Sequence, residues 1–148
     1  MADGPPSLIA LDPDDYHARH VGRTADGRQF FVTTPFDESC PVHGHAFVAV
    51  FLFNVSGKLL EAKIDDVGAR GALDREAWGR LEEQRVRELG WTSPQRIMIA
   101  PFEIERFGLK FGLIPRPPER DGKSWWVELR PGNYMAFHEP WDSGIYDT

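Results

Sequence analysis

The run Ala46-Phe-Val-Ala-Val-Phe-Leu-Phe53 decides the fold of this chain. Its eight consecutive apolar residues fall far short of the ~20 that a membrane-spanning helix needs. A run of this length, rich in Phe and Val, is typical of a strand that is buried on both faces of a sheet. We therefore predict a central β-strand here, and we expect no membrane partner.

The sequence on either side of this strand favours antiparallel neighbours. Upstream, Asp26-Gly27 separates two β-prone stretches, 20–24 and 28–34, which is a hairpin signal. Downstream, Ser56-Gly57 turns the chain into 58–64, the expected antiparallel partner of the central strand. The pattern breaks at 65–71. The first half of the chain therefore predicts a meander of about four strands.

One amphipathic helix is predicted over 74–90. Asp74 is a suitable N-cap and Gly90 a suitable residue to end the helix. At ~100° per residue an apolar stripe lies on one face, although the charged Glu82 and Arg85 fall within the same arc. The apolar residues of this stripe are Trp78, Leu81, Val86 and Leu89.

The remaining sequence predicts more strands. Pro101 divides 96–106 into either one interrupted strand or two short ones, because proline cannot donate to a β-ladder. Alternating or β-prone stretches follow at 109–114, 125–129 and 133–137. We therefore predict an α+β fold, with one curved and mainly antiparallel sheet of about six to eight strands and one main helix.

Length and composition predict a single domain. The chain has 148 residues, of which 41% are hydrophobic. Residues 1–15, rich in Pro and Asp, are predicted to form a flexible arm, and 16–148 the α+β domain. The opening residues 1–6 have neither the basic nor the apolar character of a secretory signal, so a cytoplasmic protein is expected. The sequence leaves the oligomeric state open.

The charge balance and the cysteine content argue against a nucleic-acid partner and against an intramolecular disulfide. The 17 basic and 23 acidic residues give a net charge of -6. This balance disfavours nucleic acid as a partner, since non-specific binding needs a positive field. The single cysteine, Cys40, excludes an intramolecular disulfide and fits a reducing compartment.

The segment Cys40-Pro-Val-His43-Gly-His45 is the candidate metal site. One thiolate and two imidazoles are ligand types that zinc prefers. A structural zinc site normally has a fourth ligand, which the neighbouring sequence does not supply. The alternative is a polar loop that leads into the central strand, with Cys40 as a small, partly buried residue.

The C-terminal tail is the candidate binding site. Aromatic residues continue almost to the end of the chain, where most domains become polar. Either the tail closes the open end of the sheet, or its side chains line a recognition cleft in which an aromatic ring lies beside a carboxylate. The residues of this predicted cleft are His138, Glu139, Trp141, Asp142 and Tyr146.

The same tail carries a resemblance to known proteins. Phe137–Thr148 is similar to the ends of a group of small bacterial proteins that finish in a Pro-Trp-Asp…Tyr-Asp pattern. The stretches 99–102 and 107–113 resemble the strand before that tail. Some of these proteins carry the label of formate hydrogenlyase regulatory protein. The resemblance covers the last third of the chain, implies regulatory protein binding without catalysis, and transfers no active-site residues.

The sequence favours a non-enzymatic function. It contains no nucleophile elbow, phosphate-binding loop, dinucleotide fingerprint or His-Glu-x-x-His motif. The leading hypothesis is a cytoplasmic regulatory or accessory module that binds a protein through an acidic and aromatic surface. One alternative is an immunity protein that neutralises a basic toxin, since complementary charge speeds association. The alternative of a different class is a zinc-dependent enzyme that uses Cys40, His43 and His45.

Overall fold

The central strand is β5, His45–Phe53, and its residues from Ala46 onward are buried. It belongs to a computed structural model that describes residues 5–13, 18–37, 44–69, 74–119, 125–131, 135–138, 141 and 144–146. Within these residues the chain forms one helix and antiparallel strands, so the fold is α+β as predicted.

A first sheet forms around β5. Its strands besides β5 are β2 (His20–Thr24), β3 (Gln29–Thr33), β4 (Phe36–Asp37), β6 (Leu59–Ala69) and β7 (Thr92–Pro94). β6 lies along one edge of β5, and β3 lies along the other, followed in the same register by β4 after an interruption at Pro35. β2 pairs with β3, and β7 pairs with the far edge of β2.

β6 extends beyond the partner strand predicted for 58–64. The expected break at 65–71 does not occur at Asp65, because pairing with β5 continues to Ala69. A register shift opposite Ala46 and Phe47 accommodates the extra residue. Gly68, with a φ of 132°, supplies the backbone conformation there. Asp66 is thereby held opposite the start of β5.

The predicted helix is α1, Arg75–Glu88. The Asp74 side chain accepts hydrogen bonds from the backbone N–H groups of Glu76 and Ala77, and Gly90 has a φ of 77°. Both end signals are therefore confirmed. Within the described part of the chain, no helix is long and apolar enough to cross a bilayer.

The helix packs on one face of the first sheet. Val86 and Leu89 contact an apolar patch made by alternate residues of β3 and β5, namely Phe30, Val32, Val50 and Leu52. The two charged residues within the helix stripe form ion pairs. Glu82 pairs with Arg19, and Arg85 pairs with Asp65. The two charges in the stripe are thus compensated by Arg19, which lies just before β2, and by Asp65 of β6.

A second sheet covers the opposite face of the first. Its strands are β9 (Phe102–Arg106), β10 (Leu109–Arg116), β11 (Trp126–Arg130), β12 (Met135–Phe137) and β13 (Gly144–Tyr146). They run in the spatial order β13, β12, β11, β10, β9. The main core lies between the two sheets, with Phe31, Phe47, Phe51, Phe111, Leu113, Val127 and Leu129 among its fully buried residues.

The residues predicted as an N-terminal arm include a core strand. Ile9–Leu11 form β1, which pairs with β8 (Ile97–Ile99). Both Ile9 and Leu11 are buried in the main core. The polar residues around this short apolar segment suggest an arm, but long-range pairing with β8 holds it in place.

We predicted one sheet of six to eight strands, but the described strands form three separate sheets. Hydrogen bonding groups them into sheets of six, five and two strands. The division follows Pro94 and Pro101, which cannot donate to a ladder. Between these prolines the chain leaves the first sheet and forms β8, which pairs with β1, and after Pro101 it forms β9 in the second sheet.

Candidate functional site

An exposed aromatic residue occupies the turn between β9 and β10. Phe107 is 56% exposed and has a φ of 55°, and the next residue, Gly108, has a φ of 74°. Two successive positive φ values suit the twist of a two-residue hairpin, but such turns strongly prefer Asn or Asp before Gly. A bulky residue in this conformation is an outlier. Phe107 is therefore held in a conformation that its side chain disfavours.

The Phe107 ring rests on the core. It stacks on Phe47, with ring centroids 5.9 Å apart and an interplanar angle of 24°. Phe47 is itself buried and contacts Phe111 edge to face, at 5.1 Å. Stacked and edge-to-face pairs fix the relative orientation of the rings. The exposed ring is thus carried by a rigid aromatic support.

His45 and Asp66 complete this group. The imidazole of His45 also stacks on Phe47, with centroids 6.3 Å apart. Its Nδ1 lies 3.0 and 3.1 Å from the two carboxylate oxygens of Asp66. The backbone N–H of Gly68 donates to the same carboxylate and orients it. We name Phe107, Phe47, His45 and Asp66 the hairpin-tip cluster.

The predicted zinc ligands meet this cluster at one residue. His45 belongs to it, whereas Cys40 and His43 lie outside the described residues. Among the described residues, no group of three His, Cys, Asp or Glu side chains could hold a metal ion. No described residue makes a hydrogen bond to Nε2 of His45, whose Nδ1 is bonded to Asp66. A carboxylate on Nδ1 is the usual support of a metal-binding histidine. A zinc site at Cys40, His43 and His45 stays a prediction.

The C-terminal tail is attached by its backbone. Trp141 is half-buried against the main core, and its carbonyl oxygen accepts a hydrogen bond from the N–H of Ala10 at 2.9 Å. Its own N–H donates to the carbonyl of His138, whose side chain is exposed. Tyr146 lies in β13, opposite Met135. These contacts agree with a tail that closes the sheet.

The predicted C-terminal cleft is described only in part. Glu139 and Asp142 lie outside the described residues, and so does the side chain of Tyr146. Trp141 uses its ring and its backbone for packing, which leaves His138 as the described member with an exposed side chain. The recognition cleft stays a prediction.

Two exposed aromatic residues are missing from the candidate sites that were predicted from the sequence. Phe107 is one, and Trp91, which is 68% exposed just after α1, is the other. Phe107 precedes Gly108 and Trp91 follows Gly90, and both glycines have a positive φ. An aromatic residue next to a turn glycine was a usable signal, because turn positions are seldom buried. The burial of their neighbours, however, depends on the tertiary fold.

Comparison of this chain with protein-family models, with curated proteins and with solved structures finds no match.

Proposed function

We propose that this protein is a non-enzymatic binding module that contacts a protein partner through the hairpin-tip cluster. The observation that carries the proposal is Phe107, an exposed phenyl ring in a left-handed turn position, stacked on a buried ring. Backbone outliers of this kind are concentrated at functional sites. Aromatic residues with a rigid support are the common anchors of protein interfaces.

Intramolecular packing accounts for only the covered part of the Phe107 ring, because 56% of the residue is exposed. A left-handed conformation costs a residue other than Gly, Asn or Asp roughly 1 to 2 kcal/mol. An aromatic pair contributes about 0.5 to 1.5 kcal/mol beyond its buried area. The already covered part of the ring contributes about 1 kcal/mol more. Packing therefore roughly offsets the backbone cost, and Asn, which has little such cost to offset, would serve the turn about equally well. Burial of the exposed half of the ring by a partner would add about 1 kcal/mol or more.

The surroundings of Phe107 indicate the chemistry of the partner. The Asp66 carboxylate is paired with His45 but is still 31% exposed beside the aromatic rings, and the whole chain carries a net charge of -6. A partner with an apolar pocket and a basic rim would match both features. Its attraction to the acidic chain would raise the association rate and would weaken with salt.

The experiment uses Phe107→Asn. Asn tolerates the left-handed conformation, so the variant should fold with nearly unchanged stability while the phenyl anchor is removed. The immobilised wild-type protein is exposed to extract from its native cells, and the affinity of each retained protein is then measured by calorimetry. For a partner anchored by Phe107, we expect the variant to bind about tenfold more weakly or worse.

Val55→Asn is the matched control. Val55 is 70% exposed in the turn between β5 and β6, away from the cluster, and the substitution removes a similarly exposed apolar side chain. A partner of the proposed surface binds this control like the wild type. If every saturable partner binds Phe107→Asn as tightly as the wild type, the proposed surface is wrong.

A further inference from the structure

A second group of polar side chains lies on the outer face of the second sheet, away from the hairpin-tip cluster. Along β11, Val127 and Leu129 point into the core, so Trp126, Glu128 and Arg130 point outward. On the neighbouring strand, β10, Ile114 lies opposite Glu128 and Arg116 lies opposite Trp126.

Glu128 is buried although it faces outward. Its carboxylate is covered by two guanidinium groups, with Nε of Arg116 3.2 Å from Oε1 and Nε of Arg130 3.3 Å from Oε2. The indole N–H of Trp126 donates to Oε1 at 3.3 Å. One carboxylate thus holds two arginines, and the group keeps one positive charge in excess.

Both arginines keep donors for another acceptor. A guanidinium has five N–H donors, and each of these groups approaches Glu128 through Nε. Among the described residues, no acceptor makes a hydrogen bond to the terminal Nη atoms of Arg116 or Arg130. Their side chains are 39% and 38% exposed. The fork of Nη donors is the arrangement that recognises carboxylates and phosphates.

The arginines border an open depression with an apolar wall. Its volume is about 450 Å³. Trp126 and the two prolines that follow Arg116 line it together with the charged groups. The exposed Glu119 lies at its rim and opposes anions. A ligand that satisfies the whole surface combines one anionic group with a flat or apolar body.

We propose that Arg116 and Arg130 form a binding site for a small carboxylate or phosphate whose apolar or planar part packs against Trp126. The anion accepts hydrogen bonds from the Nη groups of both arginines. Glu128 acts as a positioning residue, because its buried carboxylate holds the two guanidiniums on one side of the sheet. No covalent step is involved.

The test is a titration of isotope-labelled full-length protein, followed by NMR at constant ionic strength. The probes are inorganic phosphate, acetate and benzoate. We expect saturable shifts of the arginine Nε–H and Trp126 indole N–H signals, with dissociation constants in about the millimolar range. Benzoate should bind more tightly than acetate, because only its ring can pack on the indole. The comparison of phosphate with acetate identifies the preferred anion.

Substitutions separate this site from general charge effects. Arg116→Gln and Arg130→Gln should each weaken binding by about tenfold or more, as expected for the loss of a charge-assisted hydrogen bond. Arg106→Gln, at an exposed arginine of β9, removes the same charge and should leave the affinity unchanged. Arg116→Lys should also weaken binding, since an ammonium lacks the planar fork.

Glu119→Gln keeps the proposal testable if an arginine variant fails to fold. Glu119 is exposed and makes no ion pair with the described residues, so the fold should tolerate the change. Removal of its charge from the rim should raise the affinity several-fold. The proposal is overturned if none of the three anions gives saturable shifts, or if Arg106→Gln weakens binding as much as Arg116→Gln.

Discussion

The carboxylate of Glu82 is buried on the face of α1 that packs against the first sheet. It accepts two hydrogen bonds from Nη2 of Arg19, at 2.9 Å each, and lies 3.3 Å from Nε2 of His20. Burial raises the pKa of Glu82, but the hydrogen bond from His20 and the charge of Arg19 outweigh it, so the pKa lies below its ordinary value of 4.5. The folded state therefore favours the ionised form.

Glu82→Gln removes this negative charge and keeps the shape of the side chain. A carboxylate with a lowered pKa in the folded state stabilises the fold above its unfolded pKa, and this contribution is lost as the pH falls through the folded value. We expect the variant to lose about 1 to 2 kcal/mol at neutral pH, a modest cost because Arg19 is half exposed. Below a pH of about 4.5 its stability should fall less steeply than that of the wild type.

Urea unfolding at several pH values provides the measurement. Glu83→Gln is the control, because Glu83 is the exposed neighbour in the same helix and should change the free energy of unfolding little. Identical pH dependence of the wild type and Glu82→Gln would contradict the assigned role of Glu82.

At the scale of elements, the pairing of β9 with β10 depends on one glycine. Gly112 lies opposite Glu103 and has a φ of 146°. A Cβ atom at this position would collide with the backbone carbonyl oxygen of Phe102. The close approach of the two strands therefore requires glycine. In this arrangement the Phe102 ring contacts the rings of Phe51 and Phe53.

Gly112→Ala should destabilise the protein more than Gly27→Ala. Both glycines have positive φ, but a Cβ at Gly27 would meet no heavy atom within 4 Å among the described residues. The change at Gly27 carries only the backbone penalty, roughly 1 kcal/mol. The change at Gly112 adds the collision, so we expect about 3 kcal/mol or more. Denaturant unfolding measures the free energy of unfolding of both variants. Equal losses of stability would show that β9 and β10 can move apart to accommodate the added Cβ atom.

At the scale of the whole molecule, one core joins the three sheets. Leu11 of β1, Phe51 of the first sheet and Leu129 of the second belong to the same cluster of buried residues. The strands β1 and β8 close this cluster, although they are far apart in the sequence. Truncation of one buried side chain in this cluster should therefore destabilise the whole core.

Leu11→Ala should lower the free energy of unfolding by about 2 to 5 kcal/mol, because Leu11 is fully buried and the core cannot collapse into the cavity completely. We expect one thermal transition, seen at the same temperature by far-UV and near-UV circular dichroism. Leu60→Ala makes the same chemical change at a leucine that is 54% exposed, and it should cost far less. Two separate transitions in Leu11→Ala would contradict a shared core.

Local signals in the sequence were sufficient for several elements. The run Ala46–Phe53 identified the central strand, and Asp74 and Gly90 marked the ends of the helix. Each of these features depends on residues within one element, so the pattern along the chain contains the necessary information.

Contacts between distant segments decided the rest. Periodicity and end residues act locally, so they were sufficient to predict the α+β class, the central strand and the helix. Only the tertiary structure brought Ile9–Leu11 against β8, divided the strands into separate sheets, and placed Phe107 on Phe47 beside His45 and Asp66. Strand pairing and side-chain contact over long separations depend on the packing of the whole core, which no single stretch of sequence specifies.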